Sequence, residues 1–351
     1  VKHLPDTDGS GARDEAAPAS SPGDRSWWLW WTVLLAGVLV ALAGTLAIWP
    51  AEAVFTAAPT PTWQLTSYRS AGFDKSLKAD LLDELPAAPE LVLFGGSRAM
   101  RFEPSDVSDL TGLSAFNCSV QCFRPEDAWA FSRYLITRWP DADPHCIVAL
   151  QARTFRADHL RAGLLNDERL SAAFPARLLA KQRATLPSPA TKELLGGNHY
   201  SARGSLRRNR YDSTRKLPGY SFRRQINVSI RRLLDNHRWT GPTTVSRPHA
   251  YFEATMRLYN DRGVTPLVIM MPVQPRALRA FREVGFQRSL DELAAYLRDA
   301  QTRCRFRVLD LTDVRTFGGR PRAFYDALHV MRPNARLILE YATAVAPECF
   351  R

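Results

Sequence analysis

Leu91-Val92-Leu93-Phe94-Gly95-Gly96-Ser97-Arg98 is the stretch that sets the fold class. Four consecutive large apolar residues suit a strand covered on both faces, and the Gly-Gly pair ends it in a turn. The same pattern recurs along the chain. Ser114–Asn117, Cys146–Leu150, Leu267–Met271 and Phe306–Leu309 read as four further short strands. Helical periodicity separates them. Pro125 opens a helix with Ala128, Phe131 and Leu135 on one face. Phe286, Leu290, Leu293, Ala294 and Leu297 line a second helix, and Pro333 begins a last one carrying Leu337, Ile338 and Tyr341. Strands alternating with helices predict an α/β domain with a five-stranded parallel sheet covered on both faces.

Before this domain the composition changes. Residues 1–26 are rich in Gly, Ser, Pro, Ala and Asp and read as a disordered tail. Residues 27–48 hold no charged side chain. As a helix they span about 33 Å, against about 30 Å for a bilayer core. Trp27, Trp28, Trp30 and Trp31 at one end and Trp49 at the other suit the two membrane interfaces. A transmembrane helix over residues 27–49 is therefore expected. Ala51-Glu52-Ala53 leaves a cleaved signal peptide as the alternative. Arg13 and Arg25 precede the span, whereas Arg69 follows it, which favours a cytoplasmic tail and an external domain. Residues 50–65 read as a Pro/Ala/Thr stalk, and the α/β domain fills 66–351.

The charge is uneven. The whole chain carries a net +12, but residues 151–250 alone hold 20 Lys/Arg and 6 Asp/Glu. That segment lies between the third and fourth strands and is too long for one crossover. It reads as a basic insertion, with Arg207, Arg208 and Arg210 as substrate or membrane contacts. The apolar share of 45% excludes a wholly disordered chain. Five cysteines without a C-x-x-C pair argue against a disulfide scaffold or zinc knuckle, so neither metal nor cofactor is expected. An external, anchored domain also speaks against a nucleic-acid partner.

Two short motifs carry chemistry. Ser97, just after a strand, sits where open α/β sheets place their sites. A helix after it would aim backbone N–H groups at an oxyanion there. Asp326-Ala327-Leu328-His329 lies just before the last helix. A serine nucleophile needs a base, and the base needs an orienting carboxylate. Alone, each motif is an ordinary turn. Ser97 is also not in a G-x-S-x-G elbow, since Ala99 follows Arg98.

Together they resemble the SGNH (GDSL-like) hydrolase superfamily. Phe324-Tyr325-Asp326-Ala327-Leu328-His329 followed by Asn334-Ala335-Arg336 is the most specific part. The resemblance covers roughly residues 88–150 and 250–345. It implies a flavodoxin-like three-layer sandwich. The anchor and the Gly-Gly-Ser-Arg form are most similar to the envelope branch, which includes teichoic-acid D-alanylation and alginate O-acetylation relatives. It further implies Ser97 as nucleophile, His329 as base and Asp326 as its orienter. The second family block falls on Asn117-Cys118-Ser119-Val120-Gln121-Cys122, with Cys122 where the family has Gly. Its backbone N–H and that of Ser97 are the implied oxyanion donors, with Asn117 as a substrate contact. The third block normally supplies an Asn; here Arg153 falls on that position and Gln151 stands nearby. Arg98 is expected to meet a substrate carboxylate or form a local salt bridge.

Two functions follow as expectations. One is a membrane-anchored extracytoplasmic serine esterase or O-acyltransferase acting on an envelope glycan or glycolipid, with a membrane partner delivering the acyl group. The other is a non-catalytic module of the same fold that binds an anionic envelope polymer or scaffolds an envelope complex.

Overall fold

The computed structural model describes residues 30–38, 66–68, 74–156, 160–183, 198–208, 215–216, 218–235 and 246–351. The chain divides between Pro61 and Thr62. In the N-terminal unit, residues 30–38 are helical, and Trp30, Trp31, Val33, Leu34, Leu35 and Val38 are exposed. Among the described residues no helix is long and apolar enough to cross a membrane. The rest of the expected span, the tail and the stalk lie outside the described residues.

The C-terminal unit contains β1 (Thr66–Tyr68), β2 (Leu91–Gly95), β3 (Ala115–Asn117), β4 (His145–Leu150), β5 (Asn198–Tyr200), β6 (Leu206–Arg208), β7 (Leu267–Met270) and β8 (Arg307–Asp310). Five of these form one all-parallel sheet in the order β3-β2-β4-β7-β8. Counted among themselves the order is 2-1-3-4-5, the winding that flavodoxin-like folds share. All five strands were legible as apolar runs.

Successive side chains on a strand point to opposite faces, and β2 shows the consequence. Val92 and Phe94 join one core with Val148, Val268, Phe131, Phe252 and Leu293. Leu91 and Leu93 join the other with Ile147, Ile269, Val107, Ile338 and Leu339. The helices Pro125–Arg138, Ser246–Asn260 and Phe286–Ala300 contribute to the first core, and Pro104–Thr111 and Arg332–Val345 to the second. Each fully buried large side chain contributes about 1.5–3 kcal/mol. Three layers result, with the sheet in the middle.

The basic insertion is built into this domain. Leu160, Leu164, Leu165, Leu170 and Phe174 enter the first core. Arg169 reaches back to Asp80 at 2.7 Å and Asp83 at 2.6 Å. β5 and β6 add a small antiparallel sheet with β1. The turn before β6 presses on the end of β3. The Arg203 carbonyl accepts from the Asn117 N–H at 2.9 Å, and the fully buried Lys78 ammonium donates to the carbonyls of Asn117 and Gly204. Gly204 has φ +81°, and a Cβ there would lie 2.4 Å from the Asn117 carbonyl oxygen. Only glycine fits. Gly204→Ala is expected to destabilise the domain by about 2–4 kcal/mol, read as a lowered denaturation midpoint. An unchanged midpoint would mean that this turn is not part of the cooperative unit.

Candidate active site

The site lies at the C-terminal edge of the sheet, where loops after β2, β3 and β4 converge. Gly95 ends β2 under tight packing: a Cβ there would sit 2.7 Å from the Ala99 Cβ and 2.9 Å from the Ala149 Cβ. At Gly96 a Cβ would meet the Gln151 Nε2 at 2.6 Å. Gly95 thus excludes a side chain, whereas at Gly96 only the end of the Gln151 side chain would have to shift. The Val120 N–H donates to the Gly95 carbonyl at 2.9 Å and ties the loop after β3 to this turn.

Ser97 Oγ lies 2.8 Å from His329 Nε2, and His329 Nδ1 lies 2.8 Å from Asp326 Oδ2. The other Asp326 oxygen accepts from the Leu328 N–H at 2.8 Å and the His329 N–H at 2.9 Å. Burial alone would raise the Asp326 pKa. The His329 charge and these hydrogen bonds outweigh it and hold the carboxyl well below the usual range. Asp326 therefore stays ionised, and its fixed charge favours the His329 tautomer with a proton on Nδ1 and a free lone pair on Nε2.

A hairpin-like loop positions the pair. Phe324 bridges to Val330, and the Tyr325 N–H donates to the His329 carbonyl at 2.8 Å. Asn334, fully buried, receives the Arg320 N–H at 2.7 Å and donates to the carbonyls of Arg320 and Ala323. The Arg101 guanidinium stacks over the Tyr325 ring at 5.1 Å. In the sequence Asn334 stands only as part of the motif after His329. Its role as a strut needs the loop's backbone positions, which the sequence does not supply.

Cys122 has φ +53°, the single non-glycine residue with positive φ among those described, a conformation that glycine adopts at less cost. The backbone N–H groups of Ser97 and Cys122 make no hydrogen bond to any described residue. The Gln151 side-chain amide lies against Gly96, beside Ser97. Arg153 is half-buried on the same loop. All five cysteines are free thiols, and Cys122 alone is exposed.

Three expectations change. No helix directly follows Ser97: residues 97–101 form turns, and the helix begins at Pro104. The N–H groups next to Ser97 thus belong to a turn rather than to a helix end. Asn117, expected at the substrate, is fully buried. Its amide donates to the Ala99 and Phe102 carbonyls at 3.0 and 2.8 Å and accepts from the Ser119 N–H, so it braces the Ser97 turn. Arg98 is buried and forms no salt bridge with a described residue. Arg207 and Arg208 lie on β6, and Arg210 falls outside the described residues.

No protein-family model matches the chain, and a search of curated proteins finds no match.

Beside the Cys122 loop, Glu126 sits in the first turn of a helix with 1% exposure, and no other described residue donates a hydrogen bond to its carboxyl group. Burial pushes its pKa up to about 7, against the pull of its own backbone N–H, with Asp127 adding to the rise and Arg124 and Arg247 opposing it. The native state thus holds a proton that the unfolded chain loses near its ordinary value of 4.5. Stability should fall as pH rises from about 4.5 to 7, and the cost persists above that. Glu126→Gln removes a penalty on the order of 3 kcal/mol. It is expected to raise Tm at about pH 8 and to change it little at about pH 4. A lower Tm at the alkaline pH would contradict this.

Proposed function

We propose that the protein is an SGNH-like serine acyl-transfer enzyme, held at the cell membrane by residues 27–49 with its α/β domain outside the cytoplasm. Its substrate is an acyl ester of an envelope glycan or glycolipid. The observation that carries this reading is the unbroken hydrogen-bond chain from Ser97 through His329 to Asp326, formed by residues 232 positions apart. The exposed apolar face of helix 30–38 supports the anchor.

In the first half-reaction Ser97 Oγ attacks the acyl carbonyl carbon while His329 Nε2 takes the hydroxyl proton. The carbonyl oxygen gains negative charge, and the Ser97 and Cys122 N–H groups donate to it, with the Gln151 amide alongside. Asp326 stabilises the imidazolium and is not itself protonated. The carbon–oxygen bond to the leaving alcohol then breaks, and His329 returns its proton to that alcohol. An acyl-Ser97 ester remains. In the second half an acceptor hydroxyl gives its proton to His329 and attacks the ester carbonyl carbon; the bond from that carbon to Ser97 Oγ then breaks as His329 returns the proton to Oγ. Water as acceptor gives hydrolysis, and a sugar hydroxyl gives transfer. A membrane partner that carries acyl groups across the bilayer would supply the donor in the second case.

Incubation with an activated acyl ester should leave one acyl group on Ser97, detected by mass spectrometry. Ser97→Ala should take up none, and Asp326→Asn should slow acylation by roughly 10²–10⁴-fold. Wild-type protein that is folded and yet neither acylated nor able to turn over the ester would sink the enzymatic reading.

A further inference from the structure

Arg98 adjoins the nucleophile, yet the acyl-transfer steps do not use it. Its side chain is 4% exposed. It makes no hydrogen bond or ion pair with any described residue, and its Nε is sealed from solvent without an acceptor. Two buried lysines differ. Lys75 pairs with Asp127 at 2.8 Å, and Lys78 donates to two carbonyls. Burial lowers the Arg98 pKa to about 10, so at neutral pH the side chain is still a cation.

Two charged groups act on this guanidinium. The Asp326 carboxylate attracts it, and the Arg153 guanidinium opposes its charge. Asp326 does not satisfy its donors: one carboxylate oxygen serves the His329 ring, and the other serves two backbone N–H groups. The fold thus holds a buried guanidinium that bonds to no described residue, next in the chain to Ser97. Such a placement is costly in the empty protein. An anionic ligand offsets that cost, because a guanidinium presents a fork of N–H donors matched to carboxylate and phosphate oxygens.

We propose that Arg98 forms an anion-binding subsite next to Ser97, so that the substrate is an ester bearing a carboxylate or phosphate group close to its reacting carbonyl. The assignment of the substrate rests on Ser97 being the nucleophile; the anion subsite does not.

The test uses the full chain and a neutral, serine-directed fluorophosphonate. Labelling of Ser97 is followed by intact mass, and Tm is measured in parallel, with inorganic phosphate, acetate or chloride at matched ionic strength. Phosphate or acetate is expected to slow labelling and to raise Tm by about 2 °C or more over chloride. The more effective anion identifies the group carried by the substrate. Arg98→Met should remove both effects and, in the absence of anion, melt above the wild type, because it removes an unpaired buried charge. Arg98→Lys keeps the charge without the fork and should weaken anion binding about tenfold.

Anions no more effective than chloride on the wild type would overturn the subsite, while labelled Ser97 in the same samples would leave the acyl-transfer reading standing. Anion effects that survive in Arg98→Met, or a ligand-free Arg98→Met that melts below the wild type, would also overturn it. Anion-dependent Tm that needs Arg98, with no labelling of Ser97, would keep the subsite and discard the nucleophile.

Discussion

The tight packing at Gly95 is the constraint on which the site depends. With no room for a Cβ there, β2 can end against Ala99 and Ala149 and still turn Ser97 outward. The turn then has to be held. Asn117 does so from below with two amide bonds to the Ala99 and Phe102 carbonyls, and Val120 does so from the side. Once Ser97 is fixed, the 2.8 Å contact with His329 requires only that the last loop be equally rigid. Asn334 and the Phe324–Val330 bridge provide that rigidity.

Buried polar groups therefore do two different jobs near the sheet edge. Asn117, Asn334 and Lys78 use their hydrogen-bonding groups to join segments far apart in sequence, and so shape backbone that could not be shaped by apolar packing. Arg98 and Glu126 leave polar atoms without partners in the same region. Unpaired buried groups cost stability, and proteins concentrate that cost where ligands bind or chemistry happens.

The strongly basic segment takes on a different meaning in three dimensions. As sequence, it looks like an appended charged surface. In the structure its apolar residues enter the main core, and its Gly204 turn seals the end of β3 behind the Ser97 turn. The exposed Arg223, Arg224, Arg231 and Arg232 lie on a helix that buries Ile226 and Ile230, so the charge sits on the solvent face of an integral element.

The sequence by itself determined the five strands, their parallel arrangement and the covering helices. Runs of apolar residues and 3.6-residue periodicity are local signals, and a buried parallel sheet has few ways to satisfy them. It also pointed to Ser97, Asp326 and His329 through motif and position after a strand. What it missed was decided by contacts between segments remote in sequence. Asn117 reads like a site residue until its amide is seen to be occupied. The buried state of Arg98 has no local signature, since its motif suggests a substrate contact or a salt bridge but not burial without a partner among the described residues. The positive φ of Cys122 is imposed by the loop after β3 and cannot be read from a cysteine codon position. Local pattern fixes which elements form, whereas hydrogen-bond partners and burial depend on how those elements meet, and only the tertiary structure specifies that.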